Sequence, residues 1–163
     1  VLVVLDRKTL KPVGGSQFPG EYEVGNYRWV NNERVVINMV KRLPWLETPE
    51  YFGELYAVNY DGSKGLMIYG YQAGEMQTGS MIKKKQSTHG WAEIIDTLPE
   101  DEKHILISST PMSNTGERLA TVYKLNVNTG ILKRKVTKAP VSHAKFLTER
   151  SENLGGLPPC WIV

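Results

Sequence analysis

Three observations predict an all-β fold. In short runs along the 163 residues, β-branched and aromatic residues alternate with polar ones, the period-two pattern of strands with one buried face. These runs are separated by turn-forming clusters, most clearly Asp61-Gly62 and Asn128-Thr-Gly130, residue types that accept positive φ at little cost. The pattern also occurs twice. Each copy is two hairpins, about four antiparallel strands, and such a unit cannot bury its faces alone.

The elements follow in order. Val1-Leu-Val-Val-Leu5 starts inside a strand and reads as half a hairpin, turning through Arg7 to Lys11 into Pro12 and Val13. A chain that opens this way reads as excised from something longer. In the first full copy, Tyr27-Arg-Trp-Val30 runs through Asn31-Asn32-Glu33 into the strand Arg34 to Val40. Glu54 to Asn59 then turns at Asp61-Gly62 into Gly65 to Tyr69. The second copy has Trp91 to Ile95, a turn through Pro99 to Glu102, and His104 to Ser108. Ala120 to Asn126 follows, turning at Asn128-Thr-Gly130 into Ile131 to Val136. Val141 to Leu147 reads as the first strand of a further unit.

Aligning Tyr56 with Tyr123 and Val35 with Ile105 gives a repeat of about 70 residues, longer than the roughly 40–50 of a compact propeller blade. Insertions are therefore expected at Lys41 to Gly53, Tyr71 to Thr88 and Pro111 to Leu119. The expected architecture is a partial β-propeller occupying 1–147. It has a half blade over 1–18, four-stranded antiparallel blades over 22–71 and 78–138, and the first strand of the next at 141–147. Residues 148–163 read as an irregular tail, native or appended.

Composition narrows the function classes. A 40% hydrophobic and 23% charged chain is that of a soluble globular protein. The net charge of +3, from 20 basic and 17 acidic residues, argues against a dedicated nucleic-acid binder, which needs a concentrated basic face. A single cysteine, Cys160, leaves no internal disulfide and no multi-cysteine zinc site. No apolar run is long enough to span a membrane as a helix.

Chemistry-bearing motifs are sparse. There is no Gly-x-Ser-x-Gly nucleophile elbow and no glycine-rich phosphate loop; Gly14-Gly15-Ser16-Gln17-Phe18 reads as a β-turn. His89, His104 and His143 share no metal-ligand spacing. Lys83-Lys84-Lys85 lacks interleaved aromatics and reads as a solvated turn. Lys133-Arg134-Lys135 reads as an outer-edge strand blunted by charge, and Glu100-Asp101-Glu102 as a solvated hairpin tip. No catalytic, metal or cofactor residue is assigned. Trp45, Tyr51 and Phe52 form the one aromatic cluster of an insertion. They are interface candidates, packing either on their own blade or against another domain or protomer.

Tyr27-Arg-Trp-Val-Asn-Asn-Glu-Arg-Val-Val-Ile37, Glu54-Leu-Tyr-Ala-Val-Asn-Tyr-Asp-Gly62 and Val122-Tyr-Lys-Leu-Asn-Val-Asn-Thr-Gly130 carry a resemblance. With the opening half-hairpin, they resemble the N-terminal β-propeller of prolyl oligopeptidase-like serine peptidases, the dipeptidyl-peptidase and acylaminoacyl-peptidase relatives. The turn pattern also occurs in TolB-like propellers, and the long insertions favour the peptidase group. That resemblance implies a non-catalytic propeller segment that admits short peptides to a hydrolase domain carried elsewhere in the parent chain. The alternative is a stand-alone scaffold for protein partners. Expected partners are the parent's hydrolase domain and peptide substrates, with self-association of the open-ended piece, and neither nucleic acid nor membrane. The compartment, cytoplasm or periplasm, is left open.

Overall fold

A computed structural model describes residues 1–74, 89–113, 116, 118–149 and 160–162. Twelve strands and one short 3-10 turn make up its regular structure. Strands β1 (Leu2–Leu5) and β2 (Pro12–Ser16) form an antiparallel hairpin. The first sheet is a meander in the order β3 (Tyr22–Trp29), β4 (Arg34–Lys41), β5 (Glu50–Asn59), β6 (Leu66–Tyr69). The second is likewise ordered β7 (Gly90–Asp96), β8 (His104–Pro111), β9 (Thr121–Asn126), β10 (Leu132–Lys138). A closing hairpin pairs β11 (Phe146–Thr148) with β12 (Cys160–Ile162). The fold is all-β, built of antiparallel sheets.

The expected turns close as their residue types dictate. Gly62 and Gly130 take φ of 86° and 66°, and their N–H groups donate to the carbonyls of Asn59 and Asn126 at 2.9 and 2.7 Å. Two strands are longer than their composition suggests. β3 starts at Tyr22 because a bulge between Val24 and Asn26 keeps it paired with β4. β5 starts at Glu50, absorbing Tyr51 and Phe52 from the expected insertion.

The C-terminal part departs from expectation. The strand expected over Val141 to Leu147 begins only at Phe146. His143, at φ 62°, breaks the extended path before it. Within the stretch expected to be irregular, Cys160–Ile162 pair with β11, whose free edge supplies ladder partners. Lys83-Lys84-Lys85 and most of the Tyr71 to Thr88 insertion lie outside the described residues, as do 150–159.

Alternation along the strands produces two cores. Val36, Leu55, Ala57 and Ile68 of the first sheet meet Ala92, Ile94, Ile105, Ile107 and Leu125 of the second in one buried cluster. The two sheets therefore pack face to face. On the opposite face of the first sheet, Val35, Ile37, Met39, Val58 and Met67 are covered by Leu2 of β1, by Phe18 and by Tyr22. The first sheet is thus buried on both sides, which explains the near-continuous burial of β4 and β5.

Glycine sets the closest approaches. A Cβ at Gly53, whose φ is 87°, would stand 2.3 Å from the Gly90 carbonyl oxygen. Backbone of β5 and β7 thus meets directly where the two sheets cross.

Candidate functional site

The two sheets meet along β5 and β7 and splay towards β3, opening a crevice of about 390 Å³ at the edge. One wall carries Asn26 and Arg28 of β3 and Asn38 of β4; the other carries Trp91 and Glu93 of β7 and Ser108 and Thr110 of β8. β3 and β7 are edge strands of their sheets, so side chains here border solvent. Arg28 and Glu93 are exposed, and neither has an ion-pair partner among the described residues. Asn26 accepts from the Tyr27 N–H through Oδ1 at 2.8 Å. The floor is held by Tyr51, whose hydroxyl donates to the Ala92 carbonyl. Burial pushes that phenol well above its usual range. It serves as a neutral strut.

A second polar cluster ties the far ends of the sheets. Arg34 is 3% exposed. Its guanidinium donates to the Val127 carbonyl at 2.8 Å, to Asn59 Oδ1 at 2.9 Å and to the Lys64 carbonyl at 3.1 Å. Burial lowers its pKa, with partial compensation from Tyr56. Nearby, the Asn31 amide donates to the Glu102 carbonyl at 2.7 Å, a further bond between the sheets. The equivalent ladder position in the second sheet is His104, since Arg34 faces Asn59 and His104 faces Asn126.

Beside His104, Asp101 is partly exposed and held by two side chains. Lys124 Nζ donates to it at 2.6 Å and His104 Nδ1 lies 2.9 Å away. Burial would raise the Asp101 pKa, but the bonds from Lys124 and His104 win and hold it well below the carboxylate range. At the expected solvated tip Glu100 and Glu102 are exposed, whereas Asp101, part-exposed, is engaged by Lys124 and His104. His89 stacks on Tyr71 at 6.5 Å, and His143 sits in a turn. Among the described residues, no three His, Cys, Asp or Glu side chains are placed to hold a metal ion. Lys133 and Lys135 are exposed on the edge strand β10.

Glu54 is fully buried, and among the described residues neither carboxylate oxygen has a hydrogen-bond partner. Burial raises its pKa, opposed by Lys41 and Tyr22. The Lys41 ammonium lies 4.6 Å and 5.1 Å from the ring centres of Tyr22 and Tyr71. Burial pushes the Tyr22 phenol up to about 12, against a hydrogen bond with Lys41.

The three aromatic interface candidates do not stay together. Trp45 is 76% exposed, Phe52 is half-buried, and Tyr51 is committed to the crevice floor between the sheets. Alternation along β5 separates Tyr51 from Phe52, and the loop before it carries Trp45 outward. The crevice residues come from five strands, which no local motif joins. One signal was available for Arg34: it is in phase with the core residue Val36, so it must point inward.

No family model, curated protein or solved structure matches the chain.

Proposed function

We propose that the two stacked meanders are consecutive blades of a β-propeller, and that the segment serves a serine peptidase as a gate without catalytic residues of its own. The observation that carries this reading is the face-to-face stack of two four-stranded meanders, repeated to the level of single ladder positions. Arg34 opposite Asn59 recurs as His104 opposite Asn126. Stacking of such units around an axis is how a propeller buries its sheet faces. The resemblance of the Tyr27 to Ile37 and Val122 to Gly130 segments to peptidase propellers supports the choice of partner.

In this reading β3 and β7, as first strands, line the axial channel, and the ring they belong to admits flexible short peptides while excluding folded proteins by size. Filtering of this kind requires rigid walls, which the Tyr51, Arg34 and Gly53 contacts between blades provide. The parent reading frame is the test. A Gly-x-Ser-x-Gly elbow opening an α/β-hydrolase domain downstream, in a protein that cleaves peptides and spares folded substrates, is the expected result. A complete frame with no hydrolase domain overturns it in favour of a scaffold.

A further inference from the structure

We propose that the crevice between β3 and β7 is a binding site for the C-terminal carboxylate end of a short peptide, with Arg28 as the anion-recognising group. The site is concave, and its volume of about 390 Å³ lies within the range of small-ligand pockets. Its polar groups converge from both sheets. Arg28 offers a planar fork of N–H donors suited to a carboxylate, and among the described residues nothing else claims it. Asn26 lines the same wall and carries an amide that can donate. Across the gap, Glu93 is an acceptor for main-chain N–H groups, and Thr110 can donate or accept.

Trp91 adds an apolar wall; Arg118 lies over its ring at 5.6 Å. A ligand for this set needs an anionic end, amide N–H and C=O groups, and an apolar side chain. A peptide terminus has all three. An inorganic anion has neither an amide N–H for Glu93 to accept from nor an apolar group to set against Trp91. The floor is fixed by the Tyr51 bond to Ala92, so the walls are set before a ligand arrives, which lowers the cost of binding.

This inference rests on the peptide-gate reading only for its choice of peptide as ligand. Its test uses the 163-residue chain alone, so its failure is separable from that of the gate. Ala-Ala-Phe with a free carboxylate, its C-terminal amide, and an amidated peptide bearing a glutamate side chain are titrated calorimetrically. The free acid should bind about tenfold more tightly than either amide. Arg28→Ala should bring the free acid down to the level of the amide, and Arg28→Lys should fall between. Arg28 is exposed, and an unchanged circular dichroism spectrum will show that both variants fold. Equal binding of acid and amide, discrimination unchanged in Arg28→Ala, or no binding of any probe at millimolar concentration overturns the proposal. Equal binding of the glutamate-bearing amide and the free acid also overturns it, since the terminus would then not be what is read.

Discussion

The two sheets share a ladder plan but spend the same position differently. In the first, Arg34 reaches out of its own sheet to the Val127 carbonyl of the second. In the second, His104 stays at home, held by Asp101 and by Asn126 at 3.3 Å. A long guanidinium can bridge two sheets, whereas an imidazole reaches only partners within its own sheet. The position that joins units and the position that closes one are thus distinguished by side-chain length rather than by backbone. A second difference follows the same ladder. Glu54 faces Met39 where Thr121 faces Ser109, so the first sheet buries a carboxyl where the second has a hydroxyl.

The largest expected effect tests the bridge. Arg34→Ala leaves the carbonyls of Val127 and Lys64 without that donor and should cost about 3–5 kcal/mol. His104→Ala, losing only contacts within its sheet, should cost about 1–2 kcal/mol. Urea unfolding measures both; equal losses would erase the distinction. Gly53→Ala should follow at about 1–3 kcal/mol, because the methyl meets the Gly90 carbonyl at positive φ. A neutral result there would mean that the sheets can slide apart freely.

Two pH predictions sharpen the contrast, and they have opposite signs. Asp101 is depressed below its ordinary 3.8, so its contribution is present above that pH and is lost as pH falls through the folded value. Asp101→Asn should therefore flatten the acid limb of a stability–pH curve. Glu54 is raised above 4.5, so its contribution is complete below that pH and fades as pH rises through the folded value. Glu54→Gln should make the protein more stable at neutral pH, by the smallest margin of the set, and remove that fade. Thermal melts from about pH 1 to about pH 8 read both. A Glu54→Gln curve parallel to the parent's would show that the carboxyl finds a partner on ionisation.

Much of the fold was legible, because alternation and turn chemistry are local. Asp61-Gly62 and Asn128-Thr-Gly130 closed the hairpins they marked. The strand ends were less so. Tyr22 and Glu50 lie in ladder that continues past a bulge or a positive-φ glycine, where sequence alternation loses phase. Val141 to Lys145 alternates well enough, but one left-handed residue, His143, removes it from the sheet. The candidate site was hardly legible. Asn26, Arg28, Glu93 and Thr110 are ordinary surface residues one at a time, and only the splay of two sheets brings them to one crevice. Trp45, Tyr51 and Phe52 are the opposite case, close in sequence and divided in space.

The Arg34 bridge also has a timetable. Its acceptor lies 93 residues further along the chain, which a ribosome adds in about 5–20 s at roughly 5–20 residues per second. Through that interval the emerging first sheet holds a guanidinium that is one partner short, and its inner face has nothing to cover it. The nascent chain is then exposed to chaperones and to aggregation in a way that the finished molecule is not.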